Sequence, residues 1–275
     1  MDLDQAKAHL KEYGCVSFPA VITKERAAHA LNSLWTAKEN AESRGEPAHI
    51  PFLDPNHNNV RVFNLVEADE VFRELVSHST AIEFVKAVFG QTFLLSNLTA
   101  NIARPGSQSM ALHSDQSLNL PAPWQGTTVM SVGWCLTDVS KENGATLYIP
   151  GSHKWKSHSD VPENAPDLLV PLEGKAGDII IMDGRLWHTS GCNVTEDRDR
   201  ALVLAYYAAP YMRTIMNWSA KLSKELQDTL SQEMKDWLGL APYANIPVVG
   251  DLRYMSQQYP KRVANQAQSQ IVGSG

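Results

Sequence analysis

The sequence predicts a mainly β protein with flanking helices, folded as an antiparallel sandwich or jelly roll. From residue 92 to about 210, short β-rich runs alternate with Gly, Pro, Asn and Asp at regular spacing. Helix-compatible stretches lie on both sides of that region. Two distant segments inside it, His113-Ser114-Asp115 and Trp187-His188, carry residues suited to hold one metal ion.

The elements follow in chain order. Ala6 to Tyr13 is helix-compatible, with Gly14 placed to cap its C-terminus. Val16-Ser17-Phe18 is a short strand that Pro19 closes, and Thr23-Lys24-Glu25-Arg26 resembles a capping box opening a helix through Trp35. Residues 41–62 carry Gly45, Pro47, Pro51, Pro55 and a run of Asn, which is the composition of a loop. A loop of that length reads equally as a lid over a site or as a disordered surface insertion. Ala68 to Phe89 is helical, with Gly90 at its end. The clearest strands are Phe93-Leu94-Leu95, Thr127 to Leu136, Thr146 to Ile149, Asp178 to Met182 and Ala201 to Tyr207. Ser219 to Leu238 returns to helical periodicity, and the polar tail after Gln257 is expected to be mobile. Without an internal repeat or a dividing linker, a single domain is expected over residues 1–275, its β core at about 92–210.

Composition narrows the function classes. A formal charge of −6 gives no reason to expect nucleic acid or an anionic membrane as partner, and favours a small-molecule substrate. The N-terminus lacks the basic and apolar regions of a signal peptide. No apolar run approaches the roughly 18 residues that span a bilayer. Cys15, Cys135 and Cys192 are isolated and read as small core residues in a reducing, cytoplasmic compartment. A homo-oligomer is left open.

The metal reading rests on strand geometry. Residues i and i+2 of a strand share a face, so His113 and Asp115 can offer an imidazole and a carboxylate to one ion. Met110-Ala111-Leu112 leads into His113 like an incoming strand. His188 follows the apolar run from Gly177 to Asp183 and a turn ending at Trp187. Two imidazoles and one carboxylate leave other positions open, as in non-haem Fe(II) oxygenases. A cupin-like metal-dependent isomerase or hydrolase would use the same donors, so ligand type alone leaves that alternative standing. An oxygenase also needs an electron donor, commonly 2-oxoglutarate, whose distal carboxylate requires a cation. Arg198 and Arg200 stand at the start of a predicted strand, and a guanidinium matches a carboxylate bidentately. The competing reading of each is a solvated charge beside Glu196, Asp197 and Asp199.

Several segments together carry a resemblance. They are Leu112 to Gln116, Trp134 to Asp138, Glu142 to Thr146, Ile149-Pro150-Gly151-Ser152-His153, Gly177-Asp178, and Trp187 to Asn193. Tyr13-Gly14-Cys15-Val16 and Pro210-Tyr211-Met212-Arg213 extend them. Over roughly residues 5–218 the chain resembles the phytanoyl-CoA dioxygenase family, Fe(II)/2-oxoglutarate oxygenases of the cupin-like double-stranded β-helix fold.

That resemblance implies that His113, Asp115 and His188 ligate Fe(II), and that O2 is consumed as 2-oxoglutarate is decarboxylated to succinate and CO2. It implies that Ser190 hydrogen-bonds the distal carboxylate beside an arginine and that Trp134 lines the cosubstrate pocket. The family arginine commonly falls eleven residues after the distal histidine, where this chain has Asp199. A one-residue bulge could re-aim a neighbour, and Arg200 is favoured, with Arg198 in reserve. The turn at Pro150-Gly151-Ser152-His153 is expected to be structural, with His153 outside the ligand set. Relatives that halogenate lack the carboxylate, so Asp115 implies hydroxylation or another oxidation without halide. Gln116, Asn119, Trp124, Tyr207 and Arg213 are the substrate-side candidates. The family's substrates run from acyl-CoA thioesters to amino acids, alkaloids and terpenoids, and the lack of a dense basic cluster gives no support for a CoA substrate.

Overall fold

A strand buried along its whole length, such as Val129-Met130-Ser131-Val132-Gly133-Trp134-Cys135, is expected where both faces of a sheet are covered, and this chain covers both. The computed structural model describes residues 1–118 and 120–241. Asn119 and everything after Ala241, including the expected tail beyond Gln257, lie outside the described residues.

The strands are β1 (Cys15–Phe18), β2 (Asn59–Val62), β3 (Leu94–Ala103), β4 (Val129–Cys135), β5 (Thr146–Tyr148), β6 (Val170–Leu172), β7 (Ile179–Asp183), β8 (His188–Ser190) and β9 (Arg200–Ala208). They pair antiparallel as a six-stranded sheet, β1-β7-β4-β9-β3-β2, and a three-stranded sheet, β6-β5-β8. The fold is the jelly roll, a double-stranded β-helix. One face of the larger sheet carries Met130, Val132, Trp134, Val203 and Tyr207 against the helices, packed with Leu34, Phe72 and Phe84. The other face carries Cys135, Ile180, Met182 and Leu202 toward the smaller sheet. Alternation along each strand therefore decides which residues can reach the space between the sheets.

The helices are α1 (Leu3–Tyr13), α2 (Lys24–Ser43), α3 (Leu65–Ala68), α4 (Glu70–Ser77), α5 (Ser79–Phe89), α6 (Trp218–Lys221), α7 (Lys224–Thr229) and α8 (Gln232–Trp237). The Thr23 hydroxyl accepts from Arg26 N, but the third helical residue is an arginine, so only half of the expected capping box forms. α2 runs past Trp35 because Ala37 is buried and Lys38 pairs with Glu42 one turn on. The helix expected from Ala68 to Phe89 starts earlier and is broken twice. Asp69 and His78 take extended backbone and cap Val71 N and Thr80 N with their side chains. The C-terminal helical stretch divides in the same way, at the caps Ser223 and Ser231.

The segment 41–62 departs furthest from expectation. Its start is helix, its end is β2 paired with β3, and the loop between is tethered. Asp54 is buried, accepting from Ile50 N at 2.9 Å and Arg61 Nε at 2.8 Å. Asn56 Nδ2 donates to Gly106 O at 2.9 Å. β6 and β8 are three residues each, too short to show a period. β3 is longer than its apolar start because polar Asn97, Thr99 and Asn101 alternate along it. Cys15 and Cys135 are buried as expected, whereas Cys192 is exposed. Among the described residues no helix is long and apolar enough to cross a membrane.

The turn into β7 depends on one glycine. Gly177 has φ +97°, and a Cβ there would come within 2.3 Å of Ile22 O. Its carbonyl accepts from Val21 N and Ile22 N at 2.9 and 3.1 Å. Gly177→Ala should therefore cost about 1–3 kcal/mol from backbone strain alone. Thermal unfolding followed by circular dichroism should show a lower midpoint, and an unchanged midpoint would contradict this placement.

Candidate metal centre

His113 and His188 face each other across an isolated antiparallel bridge. His113 N donates to His188 O at 3.0 Å, and His188 N donates to His113 O at 2.8 Å. Each imidazole Nδ1 also lies against the carbonyl two residues earlier, Ala111 O at 2.8 Å and Leu186 O at 3.0 Å. A carbonyl can only accept, so Nδ1 carries the proton and Nε2 presents a lone pair. Asp115 Oδ1 is 3.8 Å from His113 Nε2 and 3.9 Å from His188 Nε2. One ligand atom from each of the three residues lies within 4.8 Å of the others.

The route to this convergence is not the expected strand. Met110 to Leu112 is irregular, His113 contributes a single bridge, and Asp115 opens a 3-10 turn over Asp115–Leu118. Gln116 N donates to Gly184 O at 2.7 Å, and Ser117 N to Ser114 O at 3.1 Å, which fixes that turn. Asp115 Oδ2 accepts from Ser131 Oγ at 3.1 Å.

A cavity of about 110 Å³ adjoins the triad, lined also by Arg61, Asn101, Met110, Thr146, Met182, Ser190, Arg200, Leu202 and Leu204. Larger cavities of about 590 and 520 Å³ lie elsewhere and contain none of the three residues. Arg200 is 1% exposed, and burial pushes its pKa down to about 10, so it stays cationic at neutral pH. Its Nε donates to Gly144 O at 3.0 Å and its Nη1 to Asn101 O at 3.1 Å. Among the described residues no carboxylate pairs with it, and a buried charge without a counter-ion is costly. Arg198 is exposed on the preceding turn. No bulge re-aims either arginine: Arg200 pairs in regular register with Ala103, and the twelve-residue spacing is absorbed in the turn before β9. Asp199 lies off the strand, 3.8 Å from Arg104. Ser190 is nearly buried, and its Oγ accepts from Met110 N at 3.0 Å, which leaves its O–H as a donor.

Other predicted site residues fall elsewhere. Trp134 is fully buried on the helix-facing side of β4, edge-on to His78, so strand parity keeps it out of the cavity. Tyr207 is on the helix side of β9 and donates to Val76 O at 2.7 Å. Its neighbour Tyr206 faces the site instead, donating to Asp115 O at 3.3 Å. Gln116 is a buried clamp, donating to Gly126 O and accepting from Thr128 N. Trp124 packs with Ile149, Ala165 and Trp187. Arg213 is exposed, and Asn119 lies outside the described residues. His153 is buried against α1, its Nε2 3.1 Å from Lys11 O, away from the triad. Sequence reading missed Arg61, which β2 carries into the cavity wall with Asp54 holding its Nε. Its signal was the Asn59-Val60-Arg61-Val62 alternation hidden at the end of a Pro- and Asn-rich stretch.

The donor set fits a borderline divalent metal: two neutral imidazoles, one carboxylate and no thiolate. The buried, carboxylate-free guanidinium in the same cavity fits a small organic anion.

A family model described as phytanoyl-CoA dioxygenase matches residues 10–201. The dioxygenase af480 of Aspergillus fumigatus is 56% identical over 98% of this chain and 87% of its own length. The iron/alpha-ketoglutarate-dependent dioxygenase ausU of Aspergillus calidoustus is 29% identical over 65% of this chain and 63% of its own. Among solved structures, the epimerase SnoN in complex with Fe3+, alpha ketoglutarate and nogalamycin RO superposes with a TM-score of 0.62 at 19% identity. That match covers 78% of this chain and 88% of SnoN, and it shows the shared fold.

Burial lowers the pKa of His78, His113 and His153 below the ordinary 6.5. The unfolded chain therefore takes up protons first as pH falls, and the stability these residues give when neutral is lost below the unfolded value. The metal-free protein should melt progressively lower from about pH 7.5 to about pH 5.5. A flat or rising profile over that window would contradict the burial of these imidazoles.

Proposed function

The chain belongs to the phytanoyl-CoA dioxygenase family, and we propose that this Fe(II)/2-oxoglutarate-dependent dioxygenase hydroxylates a small, weakly charged metabolite of secondary metabolism. The observation that carries this reading is the buried Arg200 beside the His113, Asp115 and His188 cluster. A cupin-like isomerase or hydrolase would use the same three ligands but would leave that cation without a partner. Iron(II) with 2-oxoglutarate supplies the oxidising power, spending O2 on decarboxylation of the cosubstrate to succinate and CO2 and on oxygenation of the substrate.

The residues divide that work. His113, Asp115 and His188 hold the metal, and their backbone contacts keep both imidazoles in the ligating tautomer. Arg200 pairs with the distal carboxylate of 2-oxoglutarate, and the Ser190 hydroxyl donates beside it. Arg61 also lines the wall, but its charge is balanced by Asp54, so Arg200 is the cation left for the cosubstrate. Met110, Met182, Leu202 and Leu204 keep water away from the reacting face. Asp115 would take the place that halogenating relatives leave open to chloride, which favours an oxidation without halide incorporation. Three free thiols suit a cytoplasmic enzyme.

The test is succinate formation from 2-oxoglutarate by the iron-loaded protein in air, and its loss in His113→Ala. Arg200→Ala should raise the apparent KM for 2-oxoglutarate about tenfold or more, the scale of a charge-assisted contact. Arg198→Ala should leave it unchanged. Equal effects from the two arginines, or succinate formation that survives loss of His113, would contradict the assignment.

A further inference from the structure

The three metal-facing side chains are secured by different means. The histidines are locked by their mutual bridge and by the carbonyls on Nδ1. Asp115 belongs to a 3-10 turn outside both sheets. A carboxylate also has two equivalent oxygens, and rotation about χ2 exchanges the one that faces the histidines. Something must choose between them.

Ser131 stands in the middle of β4, 4% exposed, directly opposite Met182 on β7 and Tyr206 on β9. Its Oγ donates to Asp115 Oδ2 at 3.1 Å, while Oδ1 is the oxygen that faces both Nε2 atoms. Across the strand pair, the Tyr206 hydroxyl donates to the main-chain carbonyl of the same aspartate at 3.3 Å. Two neighbouring residues on the rigid inner face of the sheet thus reach the side chain and the backbone of Asp115. An ionised carboxylate only accepts, so the serine proton has one direction to go.

We propose that Ser131 is a positioning residue that sets Asp115 as a one-oxygen metal ligand, with Oδ1 toward the metal and Oδ2 reserved for the serine hydroxyl. This rests on the reading of the triad as the metal site. Binding through both oxygens would occupy a coordination position that a two-point cosubstrate and dioxygen need. The hydroxyl prevents that by claiming the second oxygen.

The experiment measures Fe(II) affinity without oxygen, by competition with a chromogenic chelator, together with the near-infrared ligand-field bands of the bound ion. Ser131→Ala should weaken Fe(II) binding about 10–100-fold, the usual consequence of losing an outer-shell partner, and shift those bands. Ser131→Thr, which keeps the hydroxyl, should restore both. Parent-like affinity and bands in Ser131→Ala would overturn the proposal and leave the triad standing. A loss that Ser131→Thr fails to restore would assign the effect to packing and overturn it equally. If the parent protein binds no Fe(II), or His113→Ala binds it as well, the triad reading falls and the proposal falls with it.

Discussion

The site depends on two backbone hydrogen bonds between His113 and His188. They join segments that are distant in sequence, and they place two imidazoles with ring centroids 4.4 Å apart. β5 extends the same ladder, since Tyr148 pairs with His188 and Thr146 with Ser190. Fixing His188 therefore also fixes the wall that carries Ser190 and Thr146. The smaller sheet supplies this edge, while the larger sheet supplies the opposite wall through Ser131, Met182, Leu202 and Leu204. The space between the sheets becomes a functional site because polar residues interrupt its apolar lining at chosen positions.

Charge is distributed with the same economy. Arg200 and Arg61 both line the cavity, but only Arg61 has a carboxylate partner, Asp54, among the described residues. Asp54 is nearly buried and tethers the loop before β2, so the loop's packing and the aim of Arg61 are one constraint. Arg200 is instead held by carbonyl oxygens of Gly144 and Asn101, which orient a guanidinium without neutralising it. A buried cation kept in this way costs stability that an incoming anion returns. Gly144 fits that role because it has φ +91° and sits against Gly191 O and Ala103, where a side chain would crowd the turn.

Much of this was legible in the sequence, and the errors have common physical causes. His-x-Asp is common by chance, so His113, Asp115 and His188 stand out through the family resemblance of the segments around them, and Arg200 through its place directly before an apolar strand. The route differs from the expected strand: a strand through His113 and Asp115 and the observed bridge followed by a 3-10 turn deliver similar directions. Trp134, expected in the cosubstrate pocket from the family resemblance alone, and Tyr207 both lie on the helix-facing side of strands that are buried on both faces, where burial does not tell one side from the other. Ser131 and Tyr206, which do face Asp115, show that inner side only through their contacts. Arg61 escaped notice because its strand is four residues long and follows a loop-like composition.

The most direct measurement is an anaerobic titration of the metal-free protein with Fe(II) and then 2-oxoglutarate, followed in the visible range. A weak charge-transfer band that needs both additions and is lost in His188→Ala would establish the shared site of metal and cosubstrate. No band with the parent protein, accompanied by tight zinc binding that 2-oxoglutarate does not affect, would contradict the account.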